Sequence, residues 1–174
     1  MGYYSPTIWG NLLNSDRSAW DSVKDEDVIE ESRAECDRYS RALMEKMRDN
    51  GVNFWIVGLE TAELGEHELL RRPYRFDALT MVDVALRTFH PRALSFDLLY
   101  GIPGQTMRSW EHTLDTALAY QPDHMTLWPL NLTGNSALQT ECATGLLTPM
   151  DSVQTKALRQ YASERLAALG YRAY

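Results

Sequence analysis

The stretch Ala93-Leu94-Ser95-Phe96-Asp97-Leu98-Leu99-Tyr100-Gly101-Ile102-Pro103-Gly104 decides the fold. Its first eight residues are short, apolar and rich in strand formers. A Gly-Ile-Pro-Gly turn then breaks the run, and a helical pattern begins at Met107. Trp110, Leu114, Ala117 and Leu118 recur at three- and four-residue steps, which predicts a helix to about Tyr120. A strand followed at once by a helix is one βα unit.

The same unit occurs on both sides. Upstream, Asn53-Phe54-Trp55-Ile56-Val57-Gly58-Leu59 is a continuous apolar run, which suits a strand buried on both faces in a parallel sheet. A helix from about Asp77 to Phe89 follows, with Leu79, Val82, Leu86 and Phe89 on one side. His90-Pro91 ends it, because the residue before proline avoids the helical region. Downstream, Pro122-Asp123 makes a turn and His124 to Leu130 reads as the third strand. Asn131 to Pro149 reads as loop. Asp151 then caps a helix with Val153, Leu158, Tyr161, Ala162 and Leu169 on its apolar side, and Gly170 ends it. Tyr171-Arg172-Ala173-Tyr174 reads as the beginning of a fourth strand.

Before the first strand, Asp25 to Asn50 is helical in pattern, with Cys36, Tyr39, Leu43 and Met47 in step and Gly51 as the stop. Residues 1–24 show no sustained period. The expected organisation is therefore an irregular segment over 1–24 and an α/β domain over 25–174. A strand-then-helix repeat at intervals of about 40 residues predicts a parallel sheet with right-handed crossovers. A closed eight-fold barrel needs about 250 residues, so the expectation is a partial (β/α) barrel or an open parallel sheet with flanking helices.

Composition narrows the function classes. The chain has 174 residues, 44% hydrophobic and 24% charged, as in globular proteins, and a net charge of -7. An acidic balance argues against binding nucleic-acid backbones, where cations must replace counterions. No apolar run approaches the roughly 18 residues of a membrane span, and no signal peptide is read, so a cytoplasmic protein without membrane contact is expected. Cys36 and Cys142 are the two cysteines. They are far apart, match no zinc or iron–sulfur spacing, and read as reduced thiols. His67, His90, His112 and His124 are scattered and read as ordinary structural or surface histidines. No Walker, GxSxG, HExxH or GxGxxG motif occurs.

In parallel α/β sheets ligands bind beyond the carboxyl ends of the strands. Glu60-Thr61, Asp97 to Gly104 and Pro129 to Asn131 occupy those places. Asp97 interrupts an otherwise apolar strand. Either it accepts hydrogen bonds from a polar ligand, or it pins the Gly101–Gly104 turn by accepting backbone N–H bonds. Glu60 could bind an ammonium or hydroxyl group, or be a solvated loop acid. Arg71-Arg72-Pro73-Tyr74-Arg75 could clamp a carboxylate, or form a solvated basic cluster that offsets Glu66 and Glu68.

Together these residues resemble a known family. Ser95 to Thr106, followed by Ser109-Trp110, is similar to the "DLIYGLPGQT…SW" segment of the oxygen-independent coproporphyrinogen III oxidases and their radical S-adenosylmethionine (SAM) relatives. Gly51 to Thr61 resembles "GVNRLSLGVQS/T", Leu70-Arg71-Arg72-Pro73-Tyr74 resembles "LGRxH", and Pro122 to Leu130 resembles "PDHISLYPL". Gly170 to Tyr174 resembles "GYxxY". The match runs in order from about Ser40 to Tyr174. It implies a partial (β/α)6 barrel. It also implies SAM contacts at Glu60, Thr61, Asp97, Gly101 and Pro103, with Arg72 beside the SAM or substrate carboxylate. No catalytic residue is assigned.

The resemblance further implies a [4Fe–4S] cluster held by CxxxCxxC, which reductively cleaves SAM to a 5'-deoxyadenosyl radical. This sequence has no ligands for that cluster. It also has Glu60 where the family has Gln, and Tyr74 where it has His. The implied substrates are small molecules or a heme or other tetrapyrrole, and the implied partner is a missing N-terminal half or another chain. The family reading is thus a partial oxidase-like or heme-related protein, inactive by itself. The alternatives are a cluster-free protein that binds SAM, a nucleoside or heme, or serves a partner, and a fragment of a radical methyltransferase or cyclopropanase.

Overall fold

The computed structural model describes residues 41–42, 44–71, 79, 82–83, 86–87, 90–133 and 136–174. The expected segment over 1–24, Arg72, Tyr74 and most of the helix from Asp25 lie outside them. The described elements run β1 (Phe54–Glu60), α1 (Leu64–Leu69), β2 (Ala93–Tyr100), α2 (Met107–Leu118), β3 (His124–Pro129), α3 (Ala137–Ala143) and α4 (Ser152–Ala168). The strands form a parallel three-stranded sheet in the order β1-β2-β3, with Asp97 beside Thr126 and Leu99 beside Trp128 on the β2–β3 pair. The expected α/β architecture, a parallel sheet with flanking helices, is the one observed.

The chain divides into two compact units. One comprises residues 1–57 and 75–94, the other 58–74 and 95–174. In the first, the helical residues 41–42 and 44–49 stop at Asn50-Gly51, as expected. Gly51 takes φ +80, and its N–H and that of Val52 close onto the carbonyls of Arg48 and Met47. Residues 79, 82, 83, 86 and 87 are helical, and His90 leaves the helical region at φ +45 just before Pro91. Met44, Val82 and Leu94 are buried.

The second unit holds most of the described core. Alternate β2 residues Phe96, Leu98 and Tyr100 are buried, with Trp110, Leu114 and Ala117 of α2 and Leu158 and Ala162 of α4. Tyr100 and Trp110 lie with ring centroids 5.9 Å apart, and Phe96 and Tyr120 5.8 Å apart. The Trp110 indole N–H donates to the Leu158 carbonyl at 2.9 Å, so α2 and α4 are joined by a buried hydrogen bond. Each helix carries its own start signal. Thr106 and Ser109 form a capping box on α2, and Asp151 and Gln154 form one on α4.

Four expectations change. β1 is not buried on both faces: Phe54 is 44% exposed, and only Leu59 and Glu60 are buried. The stretch 131–149 is not all loop, because α3 starts where the Ser136 hydroxyl accepts from the Gln139 N–H. On α4, Val153 and Leu169 are exposed, and the apolar side narrows to Leu158 and Ala162. Residues 171–174 form no strand. The Tyr171 N–H turns back onto the Leu166 carbonyl to close α4, and its phenol donates to the Pro122 carbonyl.

Candidate functional site

The carboxyl ends of the strands carry the candidate site, and within the second unit a polar network ties the segments after β1 and β2 together. Glu60 is the last residue of β1. It is 6% exposed and sits at φ +62, a left-handed conformation that costs a non-glycine residue about 1 kcal/mol or more. It is therefore not a solvated loop acid. Strain of this kind concentrates at binding loops, where the surroundings must hold it.

Those surroundings begin at Thr61, which is fully buried. Its hydroxyl donates to Glu66 Oε2 at 2.6 Å and accepts from the Glu63 N–H at 3.1 Å. Thr113 of α2 stands 3.2 Å from the same hydroxyl and accepts from the Ala62 N–H at 3.0 Å. The ordering that satisfies every group runs from the Ala62 N–H to Thr113, from Thr113 to Thr61, and from Thr61 to Glu66. Thr61 thus spends its hydroxyl inside the protein.

Glu66, on α1, is the hub. Its carboxylate is buried and accepts from Thr61, from Gln105 Nε2 at 3.0 Å and from the Ser109 hydroxyl at 2.6 Å. All three donors are neutral. Among the described residues no cation pairs with it, and a buried carboxylate then needs such saturation, because an unsatisfied one is costly.

Gln105 passes the order on. Its amide oxygen accepts from the Gly101 N–H at 2.8 Å, across a turn in which Gly101 and Gly104 take φ +83 and +79. Glycine alone adopts these angles without a steric cost. Gln105, not Asp97, pins this turn.

Asp97 is left for other work. It lies on the half-exposed side of β2, opposite the buried Phe96 and Leu98, with Thr126 as its register neighbour on β3. Among the described residues no hydrogen bond or ion pair reaches its carboxylate. One step along, Leu99 pairs with Trp128, which is 56% exposed. Pro103 is buried in the turn. Beyond the network, Arg71 pairs with Glu141 of α3 instead of offsetting Glu66. Arg71 stands at φ +50, at the position of the glycine in the similar "LGRxH" motif.

Of the residues expected at the site, Glu60, Thr61, Asp97, Gly101 and Pro103 are described, and Arg72 is not. Glu66, Gln105, Ser109 and Thr113 form the network beside them, and sequence reasoning assigned none of the four to the site. Thr113 had a readable signal, because it sits on the stripe of Trp110, Leu114 and Ala117, where a hydroxyl needs a partner. Glu66 had none.

Among the described residues no group of three or more His, Cys, Asp or Glu side chains could hold a metal ion. Cys142 is a free thiol, and the sequence has two cysteines in all. His124 is engaged between the Ser95 hydroxyl at 2.8 Å and the Tyr174 hydroxyl at 2.7 Å, and His112 pairs with Glu63 at 2.9 Å.

No family model matches the sequence. The chain is 32% identical over 125 residues to the mitochondrial radical S-adenosyl methionine domain-containing protein 1 of Bos taurus, covering 71% of this chain and 28% of that protein. It is 28% identical over 133 residues to the oxygen-independent coproporphyrinogen III oxidase of Pseudomonas aeruginosa, covering 75% of this chain and 28% of the relative. In structure it resembles the coproporphyrinogen III oxidase HemN of Escherichia coli, a radical SAM enzyme, with a TM-score of 0.62 at 21% identity, over 75% of this chain and 30% of that one. The chain thus spans under a third of the length of these proteins. The structural likeness confirms the fold.

Proposed function

From its kinship with radical SAM proteins of the coproporphyrinogen III oxidase-like class, we propose that this chain forms the SAM-binding rim of such a barrel. Asp97 carries the reading. Asp97 is part-exposed at the site, meets no hydrogen bond or ion pair among the described residues, and is relieved of the turn-pinning role by Gln105.

SAM has an ammonium, ribose hydroxyls and a sulfonium cation, all of which suit acceptor-only carboxylates. Asp97 would accept from its hydroxyl or amine donors. Glu60 would offer a second negative charge where the relatives' motif has an amide. Arg72 would take a carboxylate of SAM or of the substrate. The Gly101–Pro103 turn would let the ligand approach the backbone closely. Thr61 would act through the loop that it fixes, since its hydroxyl is already engaged. Bound SAM would bring an adenosyl group to the site as its reactive part.

The residues present do not fit a [4Fe–4S] cluster, which takes thiolates from closely spaced cysteines. Cys36 and Cys142 cannot provide that set. Radical chemistry on a tetrapyrrole or other small molecule would need a cluster carried by polypeptide beyond these 174 residues, and the chain alone would be inactive. The same shortage of thiolates favours a second reading, in which the chain binds SAM or another nucleoside without redox chemistry. Both readings assign no nucleic-acid partner and no membrane contact, and among the described residues no helix is long and apolar enough to cross a membrane. A cytoplasmic location belongs to the proposal; the bovine relative carries "mitochondrial" in its name.

Calorimetric titration of the chain with SAM tests the proposal. Saturable binding is expected, weakened about tenfold in Asp97→Ala, the factor for about 1.4 kcal/mol. Absence of binding, or unchanged affinity in the variant, refutes the assignment.

A further inference from the structure

We infer that Glu66 is the positioning residue of this rim. It aims the Gln105 side-chain amide, and through it holds the Gly101–Gly104 turn in its binding shape. The inference deepens the SAM reading and, for its effect on affinity, rests on it.

The argument follows the hydrogen atoms. The Gln105 amide can be turned either way about its last torsion. With its nitrogen on Glu66 at 3.0 Å, its oxygen meets the Gly101 N–H at 2.8 Å. Reversed, the oxygen would face the carboxylate and the NH2 would face the Gly101 N–H, acceptor against acceptor and donor against donor. Glu66 therefore selects the orientation. The Leu99 carbonyl, 3.4 Å from the same nitrogen, gives only a long contact and cannot replace it.

The second oxygen of Glu66 takes the Ser109 hydroxyl at 2.6 Å, which also accepts from the N-cap amide of Thr106 at 3.0 Å. Glu66 thus fixes both ends of the segment from Gly101 to Ser109, while Thr61 ties the loop after β1 to the same carboxylate. This segment directly follows the strand that carries Asp97.

Charge is not what the network needs. In Glu66→Gln the amide oxygen can accept from Thr61 and Gln105. The amide nitrogen can donate to the Ser109 oxygen, and the Ser109 hydrogen can pass to the Thr106 carbonyl 3.0 Å away. In Glu66→Leu the Gln105 nitrogen loses its carboxylate acceptor, and the Gly101 N–H is left to hold the amide in place.

Two readouts test this on the full chain, below its melting temperature. One is hydrogen exchange of the Gly101 amide by nuclear magnetic resonance; the other is SAM affinity by calorimetry. Glu66→Leu should speed Gly101 exchange at least tenfold and weaken SAM about tenfold, while Glu66→Gln stays within about twofold in both. Gln105→Leu cuts only the link from Glu66 to Gly101. It should speed Gly101 exchange by the same factor, even where Glu66→Leu fails to fold. Unchanged Gly101 exchange in these two leucine variants overturns the inference. So does faster exchange with undiminished SAM affinity, which would leave the turn irrelevant to binding. If the wild-type chain takes up no SAM, the SAM reading falls, and Gly101 exchange alone decides for or against Glu66.

Discussion

Replacing Thr113 with valine separates the polar role of this residue from its packing role. Thr113 is fully buried on α2, and its hydroxyl both accepts from the Ala62 N–H and approaches Thr61 at 3.2 Å. Valine has nearly the same shape and no hydroxyl. Two hydrogen bonds at about 1 kcal/mol each are lost, and the stranded Ala62 N–H adds up to about 1 kcal/mol. The new methyl returns about 0.8 kcal/mol of burial, so the net cost is about 2 kcal/mol. For a chain of this size that lowers the melting midpoint by roughly 4–8 °C. The comparison is Thr113→Ser, which keeps the hydroxyl and deletes one methyl at a cost of about 1 kcal/mol. Urea unfolding followed by circular dichroism measures both, and a shift in midpoint at constant slope reports stability alone. A valine variant as stable as the serine variant, or more so, would refute the view that a hydroxyl chain holds the loop after β1.

Arg71 and Tyr171 give two further predictions. Arg71→Gly should leave the chain as stable as the wild type or up to about 1 kcal/mol more stable. It relieves a left-handed residue and gives up an exposed ion pair worth little. Arg71→Ala should lose about 0.5 kcal/mol, because it gives up the pair and keeps the strain; urea midpoints in the reverse order would contradict this. Tyr171 has its pKa raised, first by burial and then by the Asp123 carboxylate. The unfolded chain then releases this proton at a lower pH than the folded one. The contribution is complete below a pH of about 10 and lost as pH rises through the folded value. Chemical unfolding at pH 9 and at pH 11 should therefore show a fall that Tyr171→Phe reduces, and an unreduced fall would assign the effect to other groups.

Much of the fold was legible in local sequence. Strands at 54–60, 93–100 and 124–129 follow from short apolar runs bounded by turn residues. The start of α4 at Asp151 and its stop at Gly170 follow from side chains within a few residues of the helix ends. The segment from Asp97 to Thr106 was specific enough to identify the class of relatives. Short helices were harder to read. α1 and α3 have six and seven residues, too few for a periodic stripe to stand out, and their stability comes from contacts.

The sequence by itself therefore determined what each segment tends to be, because propensity, caps and turns act over a few residues. Tertiary structure decided what the polar residues are for. Glu66 looks like one more surface acid in Leu64–Leu69. It becomes the centre of a buried network only because folding brings Gln105 and Ser109, 39 and 43 residues away, within hydrogen-bond reach. Arg71 meets Glu141 across 70 residues in the same way. The two roles open to Asp97 were likewise separated in space, when Gln105 took the Gly101 amide and the Asp97 carboxylate met no partner among the described residues. A hydrogen bond depends on distance and direction between donor and acceptor, and for groups this far apart along the chain only the packed fold sets either.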